Sequence, residues 1–179
     1  MSKCVSMAVI LCAVALSFTL TSVAIGQTKP PPLRIGTFDS RAVALAFWNS
    51  EEGKKQIASV HEKYAKAKAA KDEKRMKQLE HEGPGLQVRM HQQAFSTGSV
   101  TDIIEKMKRA LPPIAKEADV SLIVSKWQIA YKGPSVEYVD VTPKLVKLFS
   151  PSDGVLKAIE DLREKEPVPI DKLSMHPND

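Results

Sequence analysis

A long helical pattern with too few apolar residues to stand alone constrains the fold more than any other feature of the sequence. From Glu51 onward the apolar residues recur at spacings of 3, 4 and 3, at Ile57, Val60, Tyr64 and Ala67, which is typical of a helix that packs along one narrow seam. The same register then reaches lysines, and a helix with so thin an apolar face needs a partner to be stable. We therefore expect a helix from about 51 to 82 that packs against a second helix.

The sequence places the turn between these two helices at Gly83-Pro84-Gly85, because this tripeptide combines two flexible residues with a helix breaker. A second helical stretch begins at Leu86, restarts near Ser99 and is interrupted at Pro112-Pro113. The prediction is a long antiparallel helical hairpin, a coiled-coil arm over about residues 51–118. Each helix would have roughly 30 residues and measure about 45 Å at 1.5 Å per residue.

Short runs rich in β-branched residues flank this predicted arm. Strands are predicted at Leu33–Phe38, Val120–Ser125, Trp127–Tyr131 and Val136–Val141, with a short helix after Pro143 and an amphipathic one near Val155–Leu162. The fold class is therefore α+β, with a small β-sheet body built from the first strand plus the C-terminal strands. The apolar residues expected to build this body are Ile35, Phe38, Leu122, Val124, Val139 and Val141.

The N-terminus has the pattern of an export signal. Residues 1–26 combine Lys3, an apolar run and small residues at a plausible cleavage site, which predicts a signal peptide and export of the chain. An uncleaved inner-membrane anchor is the alternative, because the apolar run approaches the ~20 residues that span a bilayer. Both cysteines, Cys4 and Cys12, lie in this segment, so the cleaved chain has no disulfide. Residues 27–32 form a Pro-rich tether.

Three segments, taken in order, resemble the OmpH/Skp family of periplasmic chaperones. Ile35-Gly36-Thr37-Phe38-Asp39-Ser40 is similar to the first strand of that family, and Ser50-Glu51-Glu52-Gly53-Lys54-Lys55 to the start of its first long helix. The segment from Ile114 to Val124, joined by the one from Asp140 to Val146, is similar to its closing helix, strands and final helix. The match covers residues 33–149. Residues 150–179, an extra C-terminal helix and tail, lie outside the family pattern.

The resemblance implies an architecture and a set of partners. In that family the strands assemble three subunits into a barrel-like body, and the hairpins project around a cavity that holds unfolded outer-membrane proteins. For this chain it implies a homotrimer that binds unfolded outer-membrane proteins or other envelope proteins. The predicted arms are shorter than those of the best-known members, so a trimer would enclose less space.

A basic run on the predicted arm is the first candidate for partner binding. Seven Lys and Arg against two acids give a net charge of +5 over the fifteen residues 63–77. Such a run attracts acidic clients or an anionic membrane surface, although a solvated helix face has the same composition. The absence of interleaved aromatic residues argues against nucleic acid. The candidate residues are Lys63, Lys66, Lys71, Lys74, Arg75 and Lys77.

A second candidate is apolar. Val88, Met90 and Phe95 follow the predicted turn and are candidates for client contact near the tip of the arm. The alternative is that they form the inner seam of the hairpin. Trp127 and Tyr131 are read as core or subunit-interface residues, with a ligand site as the alternative.

No motif in the sequence predicts catalysis, a cofactor or a metal site. The four histidines are scattered without zinc-binding spacing. Asp39 and Asp140 are conceivable paired carboxylates, but each has an explanation as a helix cap. The predicted function is a periplasmic holdase-type chaperone, not an enzyme. The alternative is a non-chaperone envelope structural or interaction protein with the same fold.

Overall fold

The first strand, β1 (Leu33–Phe38), lies at the centre of a small parallel sheet. In the computed structural model, which describes residues 31–173, β1 pairs with β2 (Ile123–Ser125) on one side and with β3 (Val136–Asp140) on the other. Gly36 is aligned with Ile123 and with Val139. The mixed α and β composition is confirmed. The predicted signal peptide (1–26), most of the tether (27–32) and the end of the tail lie outside the described residues.

One predicted strand is wrong. Residues Lys126–Gln128 form a turn of 3-10 helix instead of the strand expected over Trp127–Tyr131. The Ser125 hydroxyl caps this turn by accepting a hydrogen bond from the Trp127 amide at 3.4 Å. The indole of Trp127 points inward and donates to Asp39 at 3.0 Å, so the tertiary contact of this side chain overrides the local β propensity.

The described part of the chain contains seven α-helices: α1 (Ser40–Asn49), α2 (Glu51–Ala69), α3 (Glu73–Phe95), α4 (Thr101–Met107), α5 (Leu111–Glu117), α6 (Thr142–Lys147) and α7 (Asp153–Arg163). Asp39 caps α1 by accepting from the Arg41 amide, and Ser50 caps α2 by accepting from the Gly53 amide. The α1–α2 junction is so tight that a Cβ on Gly53 would lie 2.3 Å from the Phe47 carbonyl oxygen.

The hairpin turn lies at Ala70–Asp72, and the predicted turn at 83–85 is wrong. Lys71 takes the left-handed conformation (φ 54), and the amides of Lys71 and Asp72 bond back to the last turn of α2, to Lys68 and Ala67. These bonds form a Schellman motif, the common way in which helices end. Asp72 then caps α3 by accepting from the Arg75 amide at 2.9 Å.

Helix α3 continues through Pro84 without a break. Leu79 and Leu86, on either side of this proline, are both buried, so packing compensates for the lost backbone hydrogen bond. The two helices run antiparallel, since the Tyr64 hydroxyl meets the Glu80 carboxylate at 3.5 Å and Gly83 faces Val60. The arm therefore covers residues 51–95 and not 51–118. Its helices of 19 and 23 residues are about 28 and 35 Å long.

The main core joins one face of the sheet to helices α1, α3, α4, α5 and α6. It contains Phe38, Phe47, Ile103, Val141 and Leu145, all buried. Residues 96–118, predicted as the end of the arm, belong to this body. Of the remaining residues predicted to build the body, Ile35, Val124 and Val139 are half-buried and Leu122 is exposed.

The C-terminal segment packs on the body. Ile159 of α7 is buried in a second cluster with Ala42, Ala46 and Val146. Beyond α7, the Arg41 side chain donates to the Lys165 carbonyl at 2.9 Å, and the Val168 amide donates to the Phe95 carbonyl at 2.9 Å. The predicted extra C-terminal helix is thus an integral part of the body. Its tail is held to the body at Lys165 and to the end of α3 at Val168.

The two faces of the sheet have different surroundings. Because successive residues of a strand alternate in direction, Gly36 and Phe38 face the helical layer, and Phe38 enters the core. The opposite face carries Leu33, Ile35, Val124, Val136 and Tyr138. Residues from the segment 126–132 line a pocket with Thr37 and Tyr138 on this face and cover it in part. We call this second face of the sheet, which carries Leu33 and Ile35, the open face.

Candidate functional site

The basic residues predicted from the sequence lie together at the end of the hairpin. Lys63 and Lys66 belong to the last two turns of α2, Lys71 lies in the turn, and Lys74, Arg75 and Lys77 belong to the first turns of α3. Because the turn lies at 70–72, charges that the sequence placed along one helix come from both helices. We call residues 63–77, with their net charge of +5, the basic tip.

Most of the charges at the basic tip are exposed and lack a counter-ion. Lys66 pairs with Glu62 at 2.6 Å, and Arg75 pairs with Glu82 at 3.2 Å. The hydrogen bond from Lys66 holds the pKa of the Glu62 carboxyl below its ordinary value. Within residues 31–173, no carboxylate lies within ion-pair distance of the four other predicted lysines, Lys63, Lys71, Lys74 and Lys77. The basic tip therefore presents an uncompensated positive field to solvent.

The three apolar residues predicted near the tip of the arm lie elsewhere, so their predicted location is wrong. Val88, Met90 and Phe95 belong to the second half of α3, at the base of the arm. Met90 packs against the main core, and Val88 is half-buried. Phe95 is 42% exposed, and its ring lies edge-on to His91 with 5.8 Å between centroids. Only Phe95 of the three offers an exposed apolar surface.

The outer part of the arm uses its apolar side chains internally. Ile57, Val60, Tyr64 and Met76 are half-buried, and Leu79 is buried. Over residues 51–87 no large apolar side chain is exposed to solvent. The arm therefore meets its surroundings mainly through charged side chains.

A second charged cluster, at the carboxyl edge of the sheet, is absent from the sequence predictions. Asp39 and Arg41 are both fully buried and joined at 2.9 Å. The Asp39 carboxylate also accepts from the Trp127 indole at 3.0 Å and lies 2.9 Å from the Lys126 ammonium. The Arg41 guanidinium lies 4.7 Å from the centre of the Trp127 ring. We call these four residues the buried ion cluster.

The protonation of Asp39 follows from these contacts. Burial alone raises the pKa of this carboxyl, but hydrogen bonds from Arg41, Trp127 and Lys126 outweigh it and lower the pKa to about 2. Asp140 accepts instead from the Thr142 amide and pairs with Arg163. Asp39 therefore caps α1, whereas Asp140 lies one residue before Val141, the N-cap of α6. Each aspartate is paired with cations of its own, so the two do not form a carboxylate pair.

The only sequence signal for the buried ion cluster is a charged pair next to an apolar helix. Asp39 and Arg41 stand immediately before the run Ala42-Val43-Ala44. An arginine at the start of a helix that is apolar on all sides has no solvent-facing position, so it must be paired. The partners Lys126 and Trp127 are too distant in the sequence to be assigned from it.

Within residues 31–173, no group of three His, Cys, Asp or Glu side chains is arranged to hold a metal ion. In the same range, no helix has the length and apolar character needed to cross a membrane. Comparison of the chain with protein-family models, with curated proteins and with solved structures found no match.

Proposed function

We propose that this chain is a periplasmic holdase-type chaperone that binds unfolded outer-membrane or other envelope proteins through its helical arm. The observation that carries the proposal is the basic tip, in which both helices of a projecting hairpin place their lysines at the same end. The resemblance of residues 33–149 to the OmpH/Skp family supports the same function.

The arm is proposed to capture clients by electrostatic attraction. Its lysines are exposed, whereas its apolar side chains are used between its own helices. Exposed charges act over about 8 Å at physiological ionic strength, and many weak contacts together hold a flexible chain. Client binding by the basic tip should therefore weaken strongly as salt is added. An anionic membrane surface satisfies the same chemistry and is a second partner of the tip.

The open face of the sheet supports assembly into a homotrimer. Parallel sheets are normally covered on both faces, yet here Leu33 is 48% and Tyr131 is 81% exposed beside half-buried Ile35 and Tyr138. Contact between copies along this face would bury these apolar groups and arrange several basic tips around one client.

The native mass of residues 27–179 tests the assembly. We expect light scattering after gel filtration to give a trimer at micromolar concentration. A monomer under these conditions would contradict the assembly and with it a cavity between arms.

Client binding is tested by diluting a urea-unfolded outer-membrane protein into buffer and following its aggregation by light scattering. Wild type should suppress aggregation at a near-stoichiometric ratio of trimer to client. The triple variant Lys66→Gln, Lys71→Gln, Lys74→Gln should suppress it less at low salt. The matched control is Lys116→Gln, Lys147→Gln, Lys157→Gln, which removes the same charge from exposed positions on the body. Equal suppression by both triple variants would overturn the role of the basic tip.

The alternative is a non-chaperone envelope structural or interaction protein with the same fold. The observation that favours it is the short arm, which has helices of 19 and 23 residues and no exposed large apolar side chain over residues 51–87. Suppression of no unfolded client, together with stable binding to one folded envelope protein, would favour this alternative.

A further inference from the structure

A cleft of about 370 Å³ lies at the carboxyl edge of the sheet, between strand β2 and the loop that precedes α4. Its floor is apolar and includes Phe38, Ile104 and Leu111. Five Ser and Thr residues, one of them Ser40, also line it. Ligand sites in proteins typically have this size and combine apolar walls with a few polar groups. The carboxyl edge of a parallel sheet is also where such sites occur.

The cleft is uncharged. None of the residues that line it is Asp, Glu, Lys, Arg or His, although 26% of the chain is charged. A charged ligand group would lose its hydration there without gaining a counter-ion. The cleft is therefore suited to an uncharged ligand with one apolar group and hydrogen-bonding atoms at its rim.

The loop that forms one wall is fixed before any ligand arrives. The buried Gln93 amide donates to the Ser99 carbonyl at 2.8 Å and accepts from the Trp48 indole at 2.9 Å. The Gly98 amide donates to the Gln92 carbonyl at 3.0 Å, and a Cβ on Gly98 would lie 2.8 Å from that residue's backbone. Because these bonds already fix the loop, ligand binding loses no free energy in ordering this wall.

The other wall is an edge strand of the sheet. Strand β2 is at the edge of the sheet, and all three of its residues, Ile123–Ser125, line the cleft. An edge strand leaves alternate backbone groups without a partner in the sheet, and an extended peptide can pair with them. The Trp127 ring at the border is already engaged by Arg41 at 4.7 Å and Lys126 at 4.3 Å, which favours a peptide over a ligand that stacks on the ring.

We propose that this cleft binds a short, extended, uncharged segment of polypeptide, with its main chain along β2 and one large apolar side chain against Phe38, Ile104 and Leu111. The inference builds on the proposed function, because it gives the unfolded client a point of attachment on the body in addition to the basic tip. The two sites select different parts of a client: the basic tip attracts negatively charged segments, and the cleft accepts an uncharged segment.

The test is isothermal titration calorimetry of residues 27–179 with blocked peptides. The probe is acetyl-Thr-Thr-Phe-Thr-Thr-amide, compared with a peptide that has Gly in place of Phe and with one that has Asp on both sides of Phe. We expect binding of the first peptide and at least about ten-fold weaker binding of the other two, which corresponds to about 1.4 kcal/mol or more. Absence of binding at millimolar concentration, or equal binding of the three peptides, would overturn the proposal.

Two variants fill the cleft from exposed positions, Thr101→Tyr at the start of α4 and Thr97→Tyr in the preceding loop. Both should weaken binding of the Phe peptide at least about ten-fold. The matched control is Glu105→Tyr, which adds the same side chain at an exposed position of α4 that does not line the cleft. If both Thr variants keep the unfolding midpoint of wild type and bind the peptide equally well, the cleft is not the site.

The outcomes separate this inference from the proposed function. If wild type binds the Phe peptide but suppresses no client aggregation, the holdase function fails and the cleft stands. If wild type suppresses aggregation but does not bind the peptide, the cleft fails and the holdase function stands.

Discussion

The basic tip and the buried ion cluster are both groups of charged side chains, but they have opposite surroundings. At the tip, Lys63, Lys71, Lys74 and Lys77 are exposed. At the carboxyl edge of the sheet, Asp39 and Arg41 are completely buried and hydrogen-bonded. Exposed charges of one sign attract distant partners and contribute little to stability. Buried charges act only on their neighbours, and loss of one partner is costly. The comparison is consistent with our proposal that the tip recognises partners, and it gives the cluster a structural role.

The buried ion cluster should give the largest effect. Asp39→Ala leaves Arg41 and Lys126 without their carboxylate, and we expect a loss of about 3–5 kcal/mol in the free energy of unfolding. Asp72→Ala, which removes the cap of α3 at the tip, should cost only about 1 kcal/mol. Urea unfolding followed by circular dichroism measures both. Equal losses would mean that the cluster contributes no more than an ordinary helix cap.

Two glycines sharpen the comparison between the base of the arm, where α2 packs against α1, and the middle of α3. Gly53→Ala should destabilise by about 3 kcal/mol, because its Cβ would lie 2.3 Å from the Phe47 carbonyl oxygen. Gly85→Ala should stabilise by about 0.5–1 kcal/mol, because nothing lies within 4 Å of its Cβ in the middle of α3. Thermal unfolding midpoints should therefore move in opposite directions. A destabilising Gly85→Ala would contradict an uninterrupted helix through Pro84.

The pH dependence of stability reports on Asp39. Its pKa falls from an ordinary value of 3.8 to about 2 in the folded chain, so the folded state binds its proton less readily than the unfolded state does. The resulting stability is fully present above about pH 4 and is lost as the pH falls towards 2. It amounts to about 2 kcal/mol.

Urea midpoints between pH 5 and pH 2.5 measure this loss, and Trp127→Phe provides the comparison. Without the indole hydrogen bond, the pKa of Asp39 should rise, so the variant should lose less stability over the same pH range. An identical pH profile would show that the indole does not act on this carboxylate.

The smallest effect is expected at the turn of the arm. Lys71 adopts a left-handed conformation that glycine tolerates better, so Lys71→Gly should stabilise the chain by about 0.5–1 kcal/mol. Lys74→Gln, its exposed neighbour in α3, should change stability by less than about 0.5 kcal/mol. Both variants lose one charge of the basic tip, and both should bind anionic vesicles more weakly at low salt. Unchanged vesicle binding would assign these lysines to solvation alone.

The sequence alone was sufficient to predict those elements of the fold that have strong local signals. Strand β1 and the existence of a helical hairpin follow from the alternation of apolar residues and from the thin apolar seam. The position of the turn was missed because Gly83-Pro84-Gly85 is a strong local breaker, whereas the burial of Leu79 and Leu86 that overrides it is a tertiary effect. The Lys71-Asp72-Glu73 segment carried the correct signal, a helix cap followed by an acid in the first turn.

The candidate site was predictable in composition but not in arrangement. The basic run was identified from its charges, but its concentration at one end of the arm depends on where the turn lies. The buried ion cluster depends on Lys126 and Trp127, which only the parallel pairing of β2 with β1 brings close to Asp39. Likewise, the cleft beside β2 exists because two distant segments, 97–101 and 123–128, meet at one edge of the sheet.

The central position of β1 has a consequence for the order of events during synthesis. This strand is made first, but both of its neighbours in the sheet come later in the chain than the whole hairpin. The arm consists of contiguous residues and can form as soon as it emerges, whereas the sheet must wait for distant segments. During that interval both edges of β1 remain unpaired. An unpaired central strand is open to pairing with other chains until its two neighbours arrive.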